Sequence, residues 1–164
     1  MHSEAVWRGP RPDPELSVEE LADELFENHA ILMDSVTDIL VDVRVLAARR
    51  TAKDPIVEAL ATGLARLKAE LAAHLGNETR LVLSRRMPGR GPGWTAVAPE
   101  LRAEHDRLRQ QAKALIGLAT TPRHGPCTRA IAQRLERLRL DFEEDLFVEE
   151  RIALPRILAV HIGA

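Results

Sequence analysis

His74-Leu75-Gly76-Asn77-Glu78-Thr79-Arg80-Leu81-Val82-Leu83 and Asp145-Leu146-Phe147-Val148-Glu149-Glu150-Arg151-Ile152-Ala153-Leu154 are two versions of one pattern. Each sets a donor side chain, His74 or Asp145, four residues before a glutamate, Glu78 or Glu149. Residues four apart lie one above the other on a helix face. Both stretches therefore predict a helix with two donors on one line. Those donors stand where an apolar stripe should run unbroken: Leu64, Leu67 and Leu71 lead toward Leu81, and Leu135, Leu138 and Phe142 lead toward Ile152. Polar groups are costly to bury without partners, so donors on an inward stripe imply something to bind.

The same reading extends in both directions. Ser17-Val18-Glu19-Glu20 is a capping box that opens a first helix. Its stripe of Val18, Leu21, Leu25, Leu32, Val36, Ile39, Val43 and Leu46 runs to about Arg50 and is interrupted by His29. Asp54-Pro55 opens the second helix, with Asp54 as cap and Pro55 in the first turn, and it ends near Arg86. Met87 to Val97 carries two prolines and three glycines and reads as a loop. A third helix is expected from Pro99 to about Thr121, with His105 between Leu101 and Leu108 on its stripe. The fourth starts at or just after Pro126, and Pro155 is expected to kink or end it. No strand-like alternation appears. The expected fold is all-α: an antiparallel up-down-up-down four-helix bundle over residues 17–164, preceded by an extended, proline-punctuated arm over residues 1–16.

Six side chains, His29, His74, Glu78, His105, Asp145 and Glu149, thus face the bundle axis. Glu143, Glu144 and Glu150 fall about 100° or more off that line and read as solvent-facing. Depth along the axis is an independent check. His29 and His105 come early in their helices, whereas His74/Glu78 and Asp145/Glu149 come late. Antiparallel packing of that early-late-early-late order brings all six to one end, and at about 1.5 Å per residue their levels agree within one or two turns. Unrelated core histidines would have no reason to obey it.

Six donors suit two metal ions, with Glu78 and Glu149 bridging and His29 and His105 as terminal ligands, one for each metal. Positions then remain for water, an oxo or hydroxo bridge, or a small ligand. Mixed imidazole and carboxylate donors favour iron, with manganese or zinc as alternatives.

Composition narrows the classes. A net charge of −2 gives no case for nucleic acid or an anionic membrane as partner. No apolar run is long enough for a membrane span, and the start lacks the layout of a signal peptide. One cysteine, Cys127, allows neither an internal disulfide nor a cysteine cage, which reads as a cytoplasmic protein. Tyrosine is absent, so no tyrosyl chemistry is available. His2, His124 and His161 fall in the arm, a loop and the tail and read as exposed. Trp7 and Trp94 are placed to pack over a bundle end.

The ordered set of His29, His74-x-x-x-Glu78, His105 and Asp145-x-x-x-Glu149 on four helices resembles the hemerythrin-like (HHE cation-binding) family. The likeness spans roughly Ser17 to Leu158 and includes Glu149-Glu150-Arg151-Ile152-Ala153-Leu154-Pro155 as the family's glutamate-to-proline ending. It implies a non-haem di-iron centre on His29, His74, Glu78, His105 and Glu149. Two positions depart from it: Asp145 stands where the family usually has its last histidine, and Arg109 follows His105 by one turn where oxygen carriers have another. The resemblance therefore implies redox work more than reversible oxygen carriage: reaction with or sensing of O2, peroxide or nitric oxide, or iron handling. Two other classes stay open, a metal- or gas-responsive binding module without turnover and a degenerate structural bundle without metal. Oligomeric state is not legible.

Overall fold

The computed structural model describes residues 16–49, 54–85, 93–121 and 126–159. Four long helices carry them: α1 (Val18–Arg49), α2 (Pro55–Arg85), α3 (Trp94–Ala119) and α4 (Pro126–Val148). A five-residue π-helical turn, Glu149–Ala153, continues α4 into a short α5 (Leu154–Ala159). Each long helix packs on its sequence neighbours and α1 closes against α4, so the four form an all-α bundle numbered consecutively around the axis. The expected arm over residues 1–16 falls outside the described residues except for Leu16. His2, Trp7, His124 and His161 lie outside them too, as does the segment 86–92.

The helix starts follow from side-chain caps. Glu20 N–H donates to Ser17 Oγ at 3.2 Å, and Ser17 N–H donates to a Glu20 carboxylate oxygen at 2.7 Å. This reciprocal pair satisfies two donors that a helix start leaves free. Asp54 Oδ1 accepts from Ile56 N–H at 3.0 Å, with Pro55, which has no N–H to satisfy, in the first turn.

Two boundaries differ from the expected ones. The third helix opens at Trp94, not Pro99, and Pro99 lies inside it. An interior proline removes one helical hydrogen bond. The turn before it is retained because Trp94 and Val97 pack against a buried apolar cluster, with Arg102 stacked over the Trp94 ring at 5.6 Å. His105 therefore lies twelve residues past the Gly93 cap, the same depth as His29 past Ser17.

The second difference is at Pro155: regular α4 ends at Val148, before a π-turn, and helix resumes through the proline. Its ring would collide with the carbonyl four residues back in a regular helix. The backbone widens instead: Leu154 N–H donates to the Glu149 carbonyl, a π-type bond to the fifth residue back, and α-helix resumes.

The apolar interior is divided in two. A long cluster including Leu32, Val36, Leu60, Leu64, Leu115 and Leu135 fills most of the bundle. A smaller one, built from Leu21, Leu25, Val82, Leu101, Leu154 and Leu158, closes the end where α1 and α3 begin. Between them lies a layer of buried polar side chains. Burying each leucine on either side stabilises the fold by about 1.5–3 kcal/mol, and that surplus offsets the cost of holding the polar layer dry. Trp94 packs on the smaller cluster, so it does sit over the polar end of the bundle, as expected for one of the two tryptophans. No described helix is long and apolar enough to cross a membrane.

Candidate metal centre

The polar layer consists of His29 from α1, His74 and Glu78 from α2, His105 from α3, Asp145 from α4 and Glu149 from the π-turn. Each is buried, with Glu78 and His105 fully so. The structure thus brings together all six residues singled out from the sequence. Their donor atoms fall into two groups, His74, Glu78, His105 and Glu149 in one, and His29, Asp145 and Glu149 in the other. Glu149 belongs to both.

Distances within the first group resemble the edges of a coordination polyhedron. His74 Nε2 and His105 Nε2 face each other at 3.1 Å. His74 Nε2 lies 3.5 Å from Glu78 Oε1, and His105 Nε2 lies 3.6 Å from Glu78 Oε1 and 3.4 Å from Glu149 Oε2. Bonds of about 2.1 Å to one cation would set neighbouring donors roughly 3.0–3.4 Å apart, depending on geometry. In the second group His29 Nε2 is 2.9 Å from Glu149 Oε1, and it also lies 3.3 Å from Glu78 Oε2. The two oxygens of each glutamate therefore turn toward different histidines.

Five carboxylate oxygens of the layer, both of Asp145, both of Glu78 and Oε2 of Glu149, are buried with no hydrogen-bond partner among the described residues. A purely structural bundle would bring arginines to them, because an uncompensated buried charge is strongly destabilising. The nearby arginines go elsewhere: Arg102 and Arg109 to Glu150, and Arg107 to Glu104. Orphaned oxygens facing imidazole nitrogens are a donor set that fits cations.

Electrostatics show the same demand for positive charge. Burial pushes the Asp145 carboxyl well above its ordinary range, and the charge of neighbouring Glu149 adds to the effect. Burial and the charge of Glu78 push Glu149 up to about 7. Burial would also raise Glu78, but the facing imidazoles of His105 and His29 outweigh it and bring that group down to about 2. Burial works to lower His29, yet Glu149 and Glu78 hold it up to about 10. His74 is lowered, chiefly by burial. A proton on His29 thus plays the part of a cation among carboxylates.

A family model for the hemerythrin HHE cation binding domain matches residues 18–157. The chain belongs to that family. No curated protein and no solved structure matches it. The hemerythrin match runs from the start of α1 into α5 and includes all six buried donors, Asp145 among them.

Two functional neighbours escape a reading of the sequence. Glu150 is not solvent-facing: it is largely buried, and its Oε1 lies 2.7 Å from His105 Nδ1. Glu104 does the same for His74, with Oε2 at 2.8 Å from Nδ1. Only the pairing of neighbouring acids, Glu104 beside His105 and Glu150 beside Glu149, could have hinted at them. Arg109, where oxygen carriers have a histidine, stays outside the donor layer and binds Glu143 and Asp106 at 3.0 Å each. His29 differs from the other histidines. Its Nδ1 is buried with no hydrogen-bond partner among the described residues, and the residue borders a surface groove of about 430 Å³ between α1 and α2, together with Phe26, Ala30, Met33 and Gly76.

Proposed function

We propose that the protein holds two cations, iron in its working form, and uses them to react with or sense O2, peroxide or nitric oxide, or to handle iron. The observation that carries this is the sharing of Glu149 between two donor groups, with Glu78 also turned toward histidines of both. In this reading His74, His105, Glu78 and Glu149 hold one ion, while His29, Asp145 and Glu149 hold the other. Glu78 and Glu149 bridge the pair. Manganese or zinc would suit the same imidazole and carboxylate donors. Bound iron would supply one-electron redox chemistry toward a small diatomic molecule or peroxide. The apolar clusters on either side exclude bulk water from the layer, and the α1–α2 groove gives a small ligand a route to the His29 side.

The test is metal content per chain in protein purified without chelator, together with its visible spectrum. About two irons are expected. Reconstitution with ferrous iron under anaerobic conditions, followed by O2, should then change the spectrum. Protein that carries no metal and takes none up would end the proposal, and a spectrum indifferent to O2, peroxide and nitric oxide would remove its redox part.

Asp145 supports redox turnover over reversible carriage. A third anionic donor stabilises the higher oxidation state of a bound metal and lowers its potential. Asp145→His should therefore raise the reduction potential of the iron-loaded protein and slow its oxidation in air. Potentiometry of variant and parent giving the same value would show that Asp145 does not contact the metal.

A further inference from the structure

We propose that Glu104 and Glu150 are positioning residues that make the His74–His105 position the tighter of two unequal cation positions. The inference rests on the metal-binding reading above and adds an order of filling to it.

It starts from the two outer nitrogens. Glu104 Oε2 lies 2.8 Å from His74 Nδ1, and Glu150 Oε1 lies 2.7 Å from His105 Nδ1. A carboxylate only accepts hydrogen bonds, so each Nδ1 is the protonated, donating nitrogen. Each Nε2 then presents a lone pair, and the two lone pairs face one another across 3.1 Å. Two acceptors at that distance repel unless a cation, either a proton or a metal ion, lies between them. The pair of glutamates thus sets both rings in the form that ligates, before any ion arrives. It also raises the basicity of the ligating nitrogens, as a carboxylate behind a metal-bound histidine does.

Glu150 is braced in turn by Arg102 and Arg109, at 3.5 and 3.7 Å, and Glu104 has Arg107 at 3.9 Å. These arginines balance the extra negative charge on the outer side. Nothing comparable stands behind His29. Its Nδ1 has no hydrogen-bond partner among the described residues, and the residue borders the α1–α2 groove, its side chain slightly more exposed than those of His74 and His105. The His29 group also has one imidazole to the other group's two. The group with two braced imidazoles should fill first and release last.

The experiment titrates the full chain, stripped by chelator, with Co2+ alone against a competing chromophoric chelator. The parent should bind in two steps at least about ten-fold apart. Glu104→Ala and Glu150→Ala should weaken the first step about 10–100-fold and leave the second within a few-fold. Glu104→Gln and Glu150→Gln keep an acceptor but lose the charge, and should fall between parent and alanine. His29→Ala should remove the second step and spare the first.

A second readout needs no metal. Imidazole 15N shifts in the stripped parent should show His74 and His105 protonated at Nδ1, and the alanine variants should lose that preference at the matching ring only. Two equal steps in the parent, equal weakening of both steps in the glutamate variants, or rings that keep their tautomer without Glu104 or Glu150 would overturn the inference while leaving metal binding intact. A parent that binds no Co2+ and no iron would instead overturn the function proposed above, and the order of filling with it.

Discussion

Glu149→Ala should abolish retention of a cation pair, with affinity at both positions falling more than about 100-fold, beyond what outer partners of ligands usually cost. Among the described residues Glu149 is the one side chain that belongs to both donor groups, with Oε1 at 2.9 Å from His29 Nε2 and Oε2 at 3.4 Å from His105 Nε2. No neighbour can replace it, since the next acid, Glu150, is committed to the far side of His105. Asp145→Ala is the control: it removes a donor from the His29 group alone and should leave one ion bound. The folded, metal-free Glu149→Ala protein should be no less stable than its parent. Glu149 is buried among carboxylates in that state, and its removal relieves repulsion from Glu78 and Asp145. Elemental analysis after gel filtration, with thermal melts with and without added metal, reads both effects. A Glu149→Ala protein that keeps two ions per chain would show that the shared-carboxylate arrangement is wrong.

The metal-free protein should be most stable in mild acid and should lose several degrees of Tm between pH 6 and pH 9. Glu149 is pushed up to about 7 in the fold against an ordinary 4.5, so it costs stability as pH rises from about 4.5 to 7 and adds little above that, where His29 takes over. His29 is held up to about 10 against an ordinary 6.5. Its contribution is complete below pH 6.5 and is lost as pH rises through about 10. Glu78, brought down to about 2, contributes above pH 4.5 and loses that contribution only as pH falls through about 2. Above pH 4.5 the shifts of Glu149 and His29 act in the same direction. Each kcal/mol lost moves Tm by about 2–4 °C in a chain of this size. Loading should flatten the profile, because a bound cation replaces the His29 proton and stabilises the fold in proportion to its affinity. Melts of chelator-treated and loaded protein at the two pH values test this. A metal-free Tm that holds or rises toward pH 9 would contradict it.

The placement of the donors explains why so much of the layer was legible in advance. His29, His74, Glu78, His105, Asp145 and Glu149 each interrupt an apolar helical stripe, and a residue on such a stripe faces the interior whatever its chemistry. Caps at Ser17 and Asp54 fixed two helix starts by short-range bonding that the sequence displays directly. The third helix starts five residues before Pro99, the position that proline's preference for a first turn marks. What holds the turn before it is the packing of Trp94 and Val97 on residues far away in the chain.

Glu104 and Glu150 lay beyond reach for a related reason. Both sit on helix flanks, where an acid normally meets water, and flank position says nothing about which neighbouring helix lies opposite. Their reach to His74 and His105 depends on how α2, α3 and the π-turn pack, and the π-turn itself arises where Pro155 meets the α5 end cluster. The amino-acid sequence alone determined four amphipathic helices and a ring of inward donors at one depth, because periodicity and caps are local properties of the chain. Only the tertiary structure decided how those donors divide into two groups, which histidines have a carboxylate behind them and which one has none. Those are contacts between helices, set by packing across the bundle and not by spacing along it.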